Sequence, residues 1–164
     1  VVGGVQAYDY SYRLTQLKEI AQKPLLGEAA IGMSFHDRKI AKKAFLKSGL
    51  DMCFARYNPV HPGAIKDLFP GVRQKRGRRP LLYNFKSTYG LEVVNKCLGA
   101  DGFMGWRPGA TDFYKFALAR PEIDGILCSL HSPKEVAQLS DAMANGPLTP
   151  EQEFFLRKFF LIHN

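Results

Sequence analysis

The sequence of 164 residues has only three cysteines, Cys53, Cys97 and Cys128, far apart and in no Cys-x-x-Cys pair. A disulfide framework and a thiolate zinc site both need paired spacing, so neither is expected and no metal ligand is assigned. Three reduced cysteines suit a cytoplasmic protein. No apolar run approaches the length of a membrane span, which argues against an integral membrane protein. Internal repeats and low-complexity segments are absent, which excludes a solenoid. The N-terminus, VVGGVQAYDY, has no basic segment, no cleavage pattern and no initiator Met, and it reads as cut from something longer.

What remains is ordinary globular composition, 46% hydrophobic and 23% charged, enough for one sizeable core in a single domain over residues 1–164. The formal net charge of +8 is concentrated. The run RQKRGRR, residues 73–79, carries five cations in seven positions. A basic chain favours anionic partners such as nucleic acid, phosphorylated cofactors or acidic surfaces.

Apolar strands alternate with helices. Residues 11–22 place Leu14, Leu17 and Ala21 on one helical face. EAAIGMS reads as a buried strand, DRKIAKKAFLKSG as a helix with Ile40, Ala44 and Phe45 together and Gly49 as its C-cap, and DMCFARYN as a second strand. A long loop rich in proline and glycine follows. LLYNFKS is then a third strand, TDFYKFALAR a helix capped by Thr111, and DGILCS a fourth strand. Ser132-Pro133-Lys134-Glu135 and Thr149-Pro150-Glu151-Gln152 both read as an N-cap, a proline at the first helical position and an acid or amide two residues later. Such alternation predicts parallel βα units, in a doubly wound sheet or in part of a (β/α)8 barrel.

In order, these segments resemble the C-terminal half of an aldo/keto reductase barrel, over nearly the whole chain. AAIGMSFH is similar to the family's fifth strand, which ends in Ser-x-His over the cofactor's carboxamide. CFARYN resembles the sixth, and the run from Arg56, Tyr57 and Asn58 through His61, Gly63, Ala64, Asp67, Phe69 and Pro70 matches one subset of the family. The segment from Ala110 to Gln152 has the order of the family's ending. The resemblance implies a partial TIM barrel, strands 4 or 5 to 8 with their helices, and an NADP or NAD cofactor across its C-terminal mouth.

The same resemblance implies the residues that hold the cofactor. Ser34 and His36 would line the carboxamide end, Phe85 would stack on the nicotinamide, and Ser129 and Leu130 would close on the pyrophosphate or ribose. Ser132 and Lys134 would sit at a phosphate-binding helix start, with Gln138 near the adenine. Arg56, Tyr57, Asn58, His61 and Trp106 would face a small carbonyl substrate at the mouth. Four positions depart from the family: Phe35, Phe54 where a Gln is common, Glu135 where many members carry an Arg for the 2′-phosphate, and Leu139. The family's proton donor and its partners come from the first half of the barrel, upstream of Val1. No catalytic residue is therefore assigned here, and the chain alone is not expected to turn over substrate.

The residues also carry plainer readings. Asp37 suits a helix cap better than a catalytic cluster with His36 and Arg38. Asn58-Pro59 and His61-Pro62 can simply build turns. The basic run has no interleaved aromatics, so a solvated loop is preferred over a nucleic-acid grip. Trp106 lines the mouth or plugs its loop. The apolar C-terminal helix points to burial against a partner, the missing first half or another copy of the chain. The expectation is the cofactor-binding part of an NAD(P)-dependent oxidoreductase. The alternatives are a non-catalytic half-barrel acting as a binding or assembly subunit, and nucleic-acid binding through residues 73–79.

Overall fold

A computed structural model describes residues 1–6, 8–23, 29–47, 49–74, 77–99 and 101–162, with side chains as far as Phe159. The fold is α/β, and its five-stranded parallel sheet has the order β1-β2-β3-β4-β5. The strands are β1 Val2–Val5, β2 Gly32–Phe35, β3 Met52–Arg56, β4 Leu81–Phe85 and β5 Gly125–Leu127. Each strand therefore neighbours the one before it in sequence. The chain divides into two compact units: Val1–Arg56 with Gly63–Asn84 and Glu122–Gly125, and Tyr57–Pro62 with Phe85–Pro121 and Ile126–Asn164.

In the first unit, α1 (Tyr10–Ala21) follows β1 and α2 (Arg38–Lys47) follows β2. Helix α2 starts where Asp37 Oδ1 accepts the backbone N–H groups of Lys39 (2.7 Å) and Ile40 (3.1 Å). Asp37 is thus a helix cap, satisfying donors that have no partner in the first turn. The buried face of α2 is Ala41, Ala44 and Phe45, and Ile40 lies at its margin. Registered pairs run from Gly32↔Met52 to Phe35↔Ala55. The departures at Phe35 and Phe54 have a packing role, since Phe35 lies 6.3 Å from the Tyr10 ring and Phe54 stacks on Tyr83 at 5.6 Å. Glycine is required at Gly125, because a Cβ there would approach Tyr83 Cε1 to 2.6 Å.

The segment expected to be a long loop forms two short helices, α3 (Ala64–Asp67) and α4 (Phe69–Gln74). Buried Ala64, Leu68, Phe69 and Val72 supply the apolar contacts that offset its proline and glycine content. The basic run is more than a solvated loop. Arg73 pairs with Glu122 (2.6 Å), Arg78 with Asp51 (2.9 Å) and Arg79 with Asp124 through two hydrogen bonds of 2.6 Å. Asp51 and Asp124 each stand just before a strand, and each also accepts a backbone N–H, from Ile31 (2.9 Å) and Leu82 (2.7 Å). The arginines thus brace the N-terminal ends of the strands. Lys75 and Arg76 lie outside the described residues.

The second unit holds α5 (Leu91–Cys97), α6 (Ala110–Leu118), α7 (Pro133–Ala144) and α8 (Pro150–Ile162). Its core includes Val94, Phe113, Phe116, Leu148, Leu156 and Phe159. Ser132 Oγ accepts the Glu135 amide (3.3 Å), while Thr149 and Gln152 exchange side-chain and backbone bonds, so α7 and α8 begin where the proline signatures place them. Helix α6 differs. It starts one residue before Thr111, with Asp112 Oδ2 accepting the Gly109 N–H at 2.8 Å, and Thr111 Oγ1 donates to the Gln138 carbonyl instead. The carboxylate two residues into the helix displaces the hydroxyl from the capping role. Among the described residues no helix is long and apolar enough to cross a membrane.

Candidate functional site

The second unit contains the C-terminal end of β4 and the β4–α5 loop, the end of β5 with the β5–α7 loop, and the start of α7. Two adjoining cavities open among these elements and α6. The smaller, about 270 Å³, is lined by Phe85, Lys86, Ser87, Leu127 and Cys128. The larger, about 590 Å³, is lined by Tyr89, Leu91, Val93, His131, Glu135 and Gln138. Thr88, Tyr114 and Ser129 line both. Cavities outside the C-terminal ends of parallel strands are where α/β folds bind ligands.

Local geometry holds these walls in place. Asn58, fully buried, donates from Nδ2 to the Lys86 carbonyl at 2.8 Å, and its Oδ1 meets His61 Nδ1 at 3.2 Å. That clamp fixes Lys86 with a left-handed φ of 55°, which a non-glycine residue adopts only when its surroundings demand it. Gly90, at φ 89°, then turns the chain into α5 where any side chain would strike Val60. The His61 and Tyr89 rings lie 5.2 Å apart. Asn58 and His61 therefore shape the β4–α5 loop and line neither cavity.

The electrostatics centre on Tyr114 and Glu135. Burial, followed by the Cys128 and Glu135 groups nearby, pushes the Tyr114 phenol above its ordinary value, so it remains a neutral donor at physiological pH. Glu135 Oε2 accepts the backbone N–H of His131 at 2.6 Å. Its carboxylate thus occupies the positive end of α7, where an anion would otherwise bind.

Of the residues singled out in sequence, Phe85, Ser129 and Gln138 line the cavities. Ser132 caps α7, Lys134 is exposed on its first turn and Leu130 is half-buried beside it. Tyr57 stacks on Phe116 at 5.2 Å in the core of this unit. Trp106 sets its ring edge-on to Phe155 at 6.1 Å, and Phe103 stacks on Phe155 at 4.4 Å, so the tryptophan plugs its own loop against α8. On α8, Leu156 and Phe159 are buried while Phe154 is exposed, and the side chains of Phe160, Leu161 and Ile162 lie outside the described residues. Ser34, His36 and Arg56 belong to the first unit. There Ser34 Oγ accepts the Gly4 N–H at 3.1 Å, His36 is exposed beside Asp37, and Arg56 ends β3.

Sequence reasoning missed Tyr114, Thr88 and His131. Tyr114 sits inside an apolar helical pattern between Phe113 and Phe116, and nothing in that pattern marks its hydroxyl. Among the described residues, no group of three or more His, Cys, Asp or Glu is placed to hold a metal ion. Compared with protein-family models and with curated proteins, the chain matches none.

Proposed function

We propose that the chain is the cofactor-binding part of an NAD(P)-dependent aldo/keto reductase, with a partial (β/α)8 barrel as its scaffold. One observation carries the reading. Phe85, Ser129 and Gln138, which the resemblance assigns to the nicotinamide, the bridge and the adenine, line adjoining cavities of about 270 and 590 Å³ at the ends of β4 and β5. The sequential order of the parallel strands is that of one arc of a barrel.

The residues suit a dinucleotide. Phe85 offers an aromatic face, Thr88, Tyr114 and Ser129 offer hydroxyl donors, and Gln138 offers an amide that both donates and accepts. They suit a 2′-phosphate less well, because the acidic side chain Glu135 stands in the wall and, among the described residues, no arginine lines either cavity. NAD is accordingly preferred to NADP. When bound, the nicotinamide supplies a hydride to a small carbonyl compound. These residues orient it and keep water from its ring, and the proton donor lies outside the chain.

The test is a fluorescence titration of the chain with NADH and NADPH. Saturable binding with NADH the tighter ligand is expected, and the reading falls if neither binds. A second reading, a non-catalytic half-barrel subunit, is favoured by the Glu135 carboxylate already seated on the His131 amide; it predicts no binding in the same titration. Nucleic-acid binding through residues 73–79 is disfavoured by the ion pairs of Arg73, Arg78 and Arg79.

A further inference from the structure

The first unit has a cavity of its own, about 410 Å³, beyond the C-terminal ends of β1 and β2 and between the start of α2 and the end of α3. Its wall is made of Gln6, His36, Asp37, Arg38, Lys39 and Asp67, all of them polar. The place is one where parallel α/β folds accept ligands.

The Arg38 guanidinium is held in advance. Its Nε donates to Asp67 Oδ2 at 3.0 Å. Gly63 lets it lie close to the backbone, since a Cβ there would come within 2.6 Å of Arg38 Cζ and 2.8 Å of Nε. Among the described residues the Nε bond is the guanidinium's only one, so the N–H groups of its two terminal nitrogens are unspent. A guanidinium edge with two parallel donors matches the two oxygens of a carboxylate. A group already fixed also loses little freedom when a ligand arrives.

Two further groups in the wall are uncommitted. Among the described residues neither the Lys39 ammonium nor the Gln6 side-chain amide makes a hydrogen bond or ion pair. The helix amides, by contrast, are taken: Asp37 accepts those of Lys39 and Ile40, so the free donors here are side chains. The carboxylates then limit the charge of the ligand. Asp67 offsets Arg38, and Asp37 faces the positive end of α2, which leaves the Lys39 charge over. A single negative charge is balanced by it, whereas a dianion such as phosphate would bring a second charge towards Asp37 and Asp67.

We propose that this cavity binds a small hydroxy-carboxylate, whose carboxylate oxygens meet the two terminal nitrogens of Arg38, with Lys39 supplying the balancing charge and Gln6 bonding the hydroxyl. The site is independent of the dinucleotide reading, whose residues Phe85, Ser129 and Gln138 belong to the second unit.

The test is a nitrogen-15 NMR titration of the 164-residue chain with lactate and with inorganic phosphate, and of Arg38→Lys and Lys39→Gln with lactate. Lactate should shift the Arg38 Nε–H and Gln6 side-chain amide signals saturably, and phosphate should bind more weakly. Arg38→Lys keeps the charge and loses the fork, which should weaken lactate about ten-fold. Lys39→Gln should weaken it about five-fold with the thermal midpoint unchanged. The site is overturned if lactate does not saturate on the native chain, or if both variants bind it within a factor of two of native. Phosphate bound as tightly as lactate overturns the monoanion assignment and the proposal with it. Should Arg38→Lys not fold, Lys39→Gln decides alone: a loss near five-fold supports the site, and equal affinity overturns it.

Discussion

Glu135 accepts the backbone N–H of His131 at 2.6 Å, so helix α7 carries its own anion at its positive end. A ligand phosphate approaching that end meets a carboxylate already in place. Two unit charges about 4 Å apart in water repel by about 1 kcal/mol, or roughly five-fold in affinity. Glu135→Gln should therefore tighten NADPH binding about five-fold and leave NADH binding nearly unchanged. Parallel titrations of the two dinucleotides check this through their ratio, which cancels any general effect on the cavity.

Arg73 and Arg78 belong to one basic run and should behave differently when removed. Arg73 pairs with Glu122, whose side chain is 2% exposed, so Arg73→Ala leaves a buried carboxylate without this cation and should cost about 2–3 kcal/mol. Arg78 is 89% exposed, and its pair with Asp51 should be worth no more than about 0.5 kcal/mol. Urea unfolding of the two variants measures the difference. Equal costs would mean that the run acts as a diffuse surface charge.

Asp124 gives a pH signature. Burial opposes its ionisation, but the Arg79 hydrogen bonds, the Leu82 amide and the Arg79 charge outweigh burial and hold its pKa below the ordinary 3.8. A carboxyl whose folded value is depressed stabilises the fold fully above its unfolded value, and that contribution is lost as pH falls through the folded one. The native chain should therefore exceed Asp124→Asn by about 1 kcal/mol or more between pH 5 and 8. The gap should close progressively below about pH 4. Thermal unfolding of both proteins across that range reads it directly.

The three cysteines should separate by reactivity. Burial pushes the Cys53 thiol up to about 12, Cys97 is exposed on α5, and Cys128 is half-buried in the smaller cavity. The thiolate is the nucleophile, so alkylation of the native chain at pH 8 should modify Cys97 first and leave Cys53 untouched until the chain unfolds. Cys128 should react at an intermediate rate, slowed by any ligand that fills the cavity. Peptide mass mapping over time distinguishes the three.

Much of the α/β architecture was legible in the sequence because it is local. Asp37, Ser132 and Thr149 cap helices through residues two or three positions away, and four apolar runs became strands. The helix at 110–118 was displaced by one residue because Asp112 competes with Thr111 for the cap. Helices α3, α4 and α5 escaped notice because each is at most two turns long, too short to set up a helical period. The basic run looked solvated because its partners lie 27 to 49 residues away, beyond any window of periodicity. Phe85 and Gln138 were reached through family resemblance alone. Tyr114 was not reached at all, since a hydroxyl on an otherwise apolar helix face announces itself only once its surroundings are known.

The sheet order β1-β2-β3-β4-β5 has a consequence for synthesis. Each new strand joins at the growing edge, beside the strand translated just before it, and no strand must be inserted between two that have already paired. Contacts between neighbouring strands then reach across one βα crossover, the shortest separation that parallel pairing allows. A nascent chain can settle each βα unit as it leaves the ribosome, so the exposed edge awaiting a partner is only ever one strand wide.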